Sequence, residues 1–342
     1  MSSTQRIFLI AAASLFATIP VSIRAQEPHT FLKKHLGFTQ AELDAMERGQ
    51  IVTKLPKTGD TREVATFGVA SLNVSKDAYV NHFRDIVNFK RSASVLQIGL
   101  FQNPPRLEDL RGLTLEEDDL EAARKCRVGD CELKLSAKII ERLQSDVNWS
   151  APDYRRQADR LVKQALVDDV REYLKSGNAA LGEYHDRKPP LRKADEFHSL
   201  LRESPYIHEY APEFYRYLEQ YPDEQLSGVE NFIYWSKENF GLKPVVSLTH
   251  VTIYRRKQDP GSVLIASKQI YASHYFDSSL GLTALVELPG AQGIYLMYLN
   301  RSRVDALRGR LGRMKRSVIS RELRSGTEEN LRIIKRRLET AR

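Results

Sequence analysis

The chain has 342 residues, 52 Lys and Arg against 44 Asp and Glu, and two cysteines. Two thiols with no histidine nearby are too few for a structural zinc site. The net charge of +8 is concentrated, with 14 basic and 5 acidic residues from Arg301 onward and 38 against 39 elsewhere, so an acidic partner would meet the protein at its C-terminal end.

Met1–Arg6 carries one positive charge, Ile7–Ile23 is uncharged and mostly apolar, and Ala25 offers a small residue at a cleavage point before Gln26. That layout predicts a signal peptide over residues 1–25 and a periplasmic or secreted protein, with an uncleaved anchor as the alternative. No later segment approaches the ~18–20 apolar residues of a membrane span. About 315 mature residues suit one large or two ordinary domains. In an oxidising compartment, Cys126 and Cys131 in "CRVGDC" are expected to form a local disulfide between two helices.

Thr39–Glu42 is a capping box that opens a short helix ending near Gly49. "GQIVTKLP" and "REVATFGVASLNV" are expected strands, "SKDAYVNHFRDIVNF" a helix with Ser75 as N-cap, and "SVLQIGLF" a strand. From Pro104 to about Pro190 the period is helical, with starts at Thr114, Ser136 and Ser150 and an end at Gly177. Helices over Ala194–Arg202 and Pro212–Gln220 follow. Five strand-like runs then succeed one another between Val229 and Arg303, separated by Asn239–Lys243, Gln258–Gly261 and Pro289–Gly290, which implies an antiparallel meander. A basic amphipathic helix is expected from Val304, with Leu307, Leu311, Met314 and Val318 on its apolar side and a break at Ser325–Gly326.

The element order, and the segments "EVATFGVASLNVSKDAYVNHFRDI" and "GIYLMYLNRSRVDALRGRLGRMKRSVISRELRSGTEENLRIIKRRLE", resemble the START-like (SRPBCC, helix-grip) superfamily. The resemblance implies an α+β fold in which a curved antiparallel sheet grips a long C-terminal helix. The START-like domain would run over 26–102 and 201–342, with a helical insertion over 103–200. It also implies an apolar small molecule or lipid as ligand, with some members of the superfamily being cyclases or hydrolases. Independently, Ile294–Leu299 is apolar or aromatic on both faces, so one face must meet the closing helix or a ligand while the other lies under the helical block.

The stretch "YASHYFDSS" gathers the candidate site. Turn positions set two antiparallel registers, with position sums of about 519 and about 581. The first places His250 opposite about residue 269, too far from His274 for a shared metal. The second places Arg301 and Arg303 opposite Leu280 and Ser278, which brings "HYFDSS" to "NRSRVD" and makes an Asp277–arginine contact plausible. Three roles stay open: a polar corner that holds a bend, a clamp for a ligand head group, or catalysis. The clamp would use Tyr271, His274, Tyr275, Asp277, Arg301 and Arg303, with Trp235 as an aromatic neighbour. In the catalytic alternative His274 is a general base oriented by Asp277, with Arg301 beside them. A third class of function is a scaffold whose helical block binds another protein. No cofactor, metal or nucleic acid is expected. The basic C-terminal helix, through residues such as Arg313, Arg316 and Lys335, is expected to touch anionic membrane.

Overall fold

Residues 28–256, 260–287, 293–309 and 312–340 are described in a computed structural model. The expected signal peptide, Gln258 and Asp259 of the Gln258–Gly261 turn, Pro289–Gly290, Leu311 and the side chains of Arg313 and Met314 lie outside the described residues. Two helices come first, α1 (Pro28–Leu36) and α2 (Gln40–Glu47). The capping box is present: Thr39 Oγ1 accepts the Glu42 amide and the Glu42 carboxylate accepts the Thr39 amide.

β1 (Val52–Lys54) and β2 (Glu63–Leu72) precede α3 (Lys76–Arg84), α4 (Ile86–Phe89) and β3 (Val95–Leu100). The single helix expected over residues 75–89 is split at Asp85, whose carboxylate turns back to accept the Asn88 amide. The block that follows contains α5 (Glu117–Lys125), α6 (Ala137–Asp146), α7 (Tyr154–Ser176), a two-stranded ladder of β4 (Glu183–Tyr184) and β5 (Leu191–Arg192), α8 (Lys193–Arg202), α9 (Pro205–Tyr210) and α10 (Pro212–Gln220). Thr114 does not cap α5, because its backbone is held by the Gln97 and Lys237 side chains. Cys126 closes α5 and is bonded to Cys131 across the turn before α6.

Five antiparallel strands complete the sheet: β6 (Val229–Glu238), β7 (Val245–Arg255), β8 (Ser262–Ala272), β9 (Phe276–Glu287) and β10 (Ile294–Val304). The strand order is β1-β2-β10-β9-β8-β7-β6-β3. Arg301 faces Leu280 and Arg303 faces Ser278, as the turn spacing predicts. The β7–β8 register is one residue shorter than expected: His250 faces Lys268, and a bulge then sets Leu248 opposite Tyr271.

The chain closes with α11 (Gly312–Thr340), so the fold is α+β, a large antiparallel sheet gripping a long C-terminal helix. α11 starts later than expected and runs through Ser325–Gly326 without a break. Its buried side is also different. Leu307 belongs to a 3-10 turn before the helix and Val318 is 58% exposed, whereas Thr327, Leu331 and Leu338 are buried and Ile319, Leu323 and Ile334 half-buried. Gly68 fixes this phase. A Cβ there would come within 2.5 Å of Leu331 Cδ1 and 3.0 Å of Thr327 Cγ2, so only glycine lets the helix lie this close to β2.

Each face of the sheet carries an apolar layer. Alternate residues of β2, β6, β7, β8, β9 and β10, among them Ala70, Tyr234, Val251, Ile265, Leu285 and Leu296, join α3 and α11 in one apolar layer on what we term the grip face. The intervening residues, including Trp235, Val246, Leu248, Ile270 and Tyr271, share a second, larger core with α5–α10 on the block face. The helical block extends past residue 200, since Phe214 of α10 stacks on Tyr254 at 5.3 Å. It is continuous with the sheet's own core.

Candidate functional site

The residues around "YASHYFDSS" form a dense ion network at one end of the block face. A tight connection joins β8 to β9, and Tyr275 takes a left-handed φ of 58° to make it. That is a strained conformation for a bulky side chain, held by the Tyr275 carbonyl accepting the Asp305 amide and the phenol oxygen accepting the Lys243 amide. Asp277 lies just beyond, fully buried, with Lys134 Nζ at 2.9 Å, Arg187 Nη2 at 2.7 Å, Arg308 Nη2 at 2.7 Å and Arg62 Nη1 at 3.5 Å. Burial opposes its charge, but Lys134 and the two close arginines outweigh it and hold the carboxyl down to about 2.

The expected pairing of Asp277 with Arg301 or Arg303 does not form. Arg301 binds buried Glu63, and Arg303 binds Glu196 and Ser199 of α8. Nor does Asp277 orient His274, whose Nε2 meets Asp119 of α5 at 3.0 Å. The expected catalytic trio is thus divided among three separate sets of partners. A void of about 20 Å³ lies beside Asp119, Tyr271 and Ser273, room for a single water rather than a substrate. Tyr271 is buried on the block face against Tyr184. Trp235 is buried too, its indole donating to the Asp109 carbonyl at 2.8 Å. Of the seven candidates, the structure brings Tyr275, Asp277 and the two arginines to one corner, and the corner holds a bend.

Several participants escaped the sequence. Lys134 and Arg187 come from the helical block, and Asp186 and Arg187 belong to a segment that reads as a linker before Pro189–Pro190. A second buried network was equally hidden. Tyr173 donates to His250 Nδ1 at 2.8 Å, His250 Nε2 donates to Asn231 Oδ1 at 2.9 Å, and Lys268 Nζ donates to the Tyr173 oxygen at 3.1 Å and to Asn178. Burial, helped by Lys268, pushes His250 down to about 3, and burial alone lowers Lys268 well below the usual lysine range. Each of these side chains has its partner within the network. Among the described residues no group of His, Cys, Asp or Glu is arranged to hold a metal.

The grip face is different in kind. Its upper half is apolar and sealed by α3 and the C-terminal half of α11. In its lower half the same alternation along β7–β10 yields Ser247 and Thr249, Ser267 and Gln269, Ser279, Gly281 and Thr283, then Asn300 and Ser302. Apart from Tyr298, which stands opposite Thr283 with its ring beside Gly281, these side chains are small or slender. α11 lies over β2 and β1, to one side of β7 and β8. Ser267 and Gln269 sit on β8, an interior strand, yet keep part of their surface exposed. The lower grip face is therefore not fully covered at Ser267 and Gln269. At that end of the sheet the turn after β6 exposes Phe240 and Leu242, and Phe240 packs edge to face on Phe276 at 5.5 Å. On β6, at the level of Ser247 and Thr249 and just beyond them, Lys90 reaches Glu238 at 2.8 Å and Tyr234 at 3.4 Å, and Glu238 also accepts from Ser236.

The basic residues of α11 divide into two sets. Arg316 is held by Thr58 and the Asp60 and Thr61 carbonyls, Arg324 by Thr53, Lys335 by the Ser71 carbonyl and Glu339, and Arg337 by the Phe89 and Arg91 carbonyls. Arg332 pairs with Glu328 and Glu329 along the helix, and Lys315, Arg321 and Arg336 are exposed, their side chains without a protein partner among the described residues.

No protein-family model matches the chain, and no curated protein matches it. Among solved structures, the crystal structure of TTHA0849 from Thermus thermophilus aligns with 41% of this chain and 90% of its own, at 13% identity and a TM-score of 0.26.

Proposed function

We propose that the chain is an exported, START-like binding protein for a lipid or other largely apolar small molecule. The ligand would lie in a groove between α11 and the lower grip face. The observation that carries this is the exposure of Ser267 and Gln269 on an interior strand whose other face is buried. A residue there becomes reachable only where the covering layer leaves a gap, and concave gaps with a few polar groups are where small molecules bind. Phe240, Phe276 and Leu242 supply an apolar margin for the ligand's hydrocarbon part. The strand order, with α3 and α4 between β2 and β3 and a closing helix, supports the START-like assignment. Export is supported by the N-terminal sequence and by the Cys126–Cys131 bond. Among the described residues, no helix is long and apolar enough to cross a membrane. The exposed Lys315, Arg321 and Arg336 are where peripheral contact with anionic lipid would fall.

Native mass spectrometry of protein purified from its own host without detergent tests this. A non-covalent small-molecule adduct, removed by denaturation, is expected. A clean apo mass, with no change in melting temperature across a lipid panel, removes the proposal.

A further inference from the structure

We infer that the part of the ligand resting on the groove floor is electrically neutral and rich in hydroxyl groups, like the head of a glycosylated lipid. This rests on the groove being a ligand site. The floor residues of β7–β10 are serine, threonine, glutamine, asparagine and glycine, with Tyr298 opposite Thr283; burial raises the Tyr298 phenol above its ordinary range, so none of them carries a charge at neutral pH. The cations at this end of the sheet face the other way and are already matched: Arg301 to Glu63, Arg303 to Glu196, and Lys134, Arg187 and Arg308 to Asp277. Lys90, on the same face beside the lower end of β6, is neutralised by Glu238. On α11, Arg316 and Arg324 are occupied by protein oxygens, while Lys315 and Arg321 are exposed to solvent and are not part of the floor.

A carboxylate or phosphate on this floor would lose water without gaining a cation, which is costly in a half-shielded site. A neutral polyhydroxyl group meets no such penalty. Each serine or threonine hydroxyl both donates and accepts, as a sugar hydroxyl does. The floor also has capacity to spare. Ser279 is bonded to Ser302 at 2.8 Å and to Asn300 at 3.3 Å, and Gln269 to Ser247 at 3.3 Å. Among the described residues, the hydroxyls of Thr249, Ser267 and Thr283 make no side-chain hydrogen bond to protein. Unused donors and acceptors on three adjacent strands are what a ligand bearing several hydroxyls would engage.

Calorimetric titration of the mature protein with n-octyl β-D-glucopyranoside below its micelle threshold, beside sodium octanoate at equal ionic strength, separates the possibilities. The glucoside is expected to bind saturably and at least tenfold more tightly than octanoate. Ser267→Leu, which fills the floor, is expected to weaken the glucoside at least tenfold. Thr249→Val, which removes a hydroxyl and adds no bulk, is expected to weaken it several-fold and covers the case in which the first variant does not fold. Octanoate binding as tightly as the glucoside would overturn the neutral-head inference and leave the groove as a ligand site. Glucoside binding unchanged in both variants would overturn the inference by placing the sugar elsewhere. Binding of neither compound overturns the groove as a site for such molecules, and the inference with it.

Discussion

Asp277 and Lys268 lie on one hairpin, both buried, in opposite electrostatic settings. Lys268 meets Tyr173, Asn178 and the Phe197 ring, and burial lowers it well below the usual lysine range. Asp277 is surrounded by cations, and its ionised form is favoured. Its folded-state value of about 2 lies below the ordinary aspartate value of about 3.9. The stability it contributes is therefore complete above about pH 4 and is lost as pH falls toward 2. Asp277→Asn leaves Lys134 buried without its closest anion, and breaking such a pair costs about 3–5 kcal/mol. On the order of 2 kcal/mol of that deficit follows from the shifted ionisation and should vanish in acid. Urea titrations of wild type and Asp277→Asn at pH 7, 5, 4 and 3 should show a gap constant from pH 7 to 5 that narrows below 4. A gap independent of pH would mean that the charge on Asp277 is not what holds the corner.

At the scale of elements, α11 depends on few contacts. Leu331 is buried against Gly68 while Val318 is mostly exposed. Leu331→Ala should cost about 3 kcal/mol, in the range for large-to-small changes in a core, and Val318→Ala no more than about 0.5 kcal/mol. Chemical denaturation checks both, and similar costs at the two positions would mean that the helix is phased as the sequence alone suggests. That phase was illegible for a definite reason. Leu307, Leu311, Met314 and Val318 follow helical spacing as well as Ile319, Leu323, Thr327, Leu331 and Leu338 do, and only the approach permitted by Gly68 on a distant strand decides between them. The strands were far more readable. Each carries its own alternation and the links are short, so order and the β9–β10 register followed from local pattern, whereas the β8 bulge at Ile270 leaves no mark in composition. For the site, "HYFDSS" and "NRSRVD" do meet, but their ionic partners come from Arg62, Lys134, Arg187 and Glu196, which no local pattern connects to them. The groove floor was in view in "SKQ", "DSSLG" and "NRS". Its polar residues fell on strand ends and so passed for a corner.

Across the whole molecule, one sheet separates two environments. The block face is a continuous core in which every candidate catalytic group is committed to a structural partner. The grip face is apolar and sealed in its upper half, polar and partly open in its lower half. Under the proposed function, that asymmetry would put recognition on the grip face, with the helical block bracing the sheet behind it. Amide chemical-shift mapping of the isotopically labelled protein during titration with n-octyl β-D-glucopyranoside tests this most directly. Saturable shifts should concentrate on Ser247, Thr249, Ser267, Gln269, Ser279 and Asn300, and on the facing side of α11, while His274, Asp277 and Arg301 stay still. Shifts centred on His274 and Asp277, or spread evenly with no saturation, would contradict it.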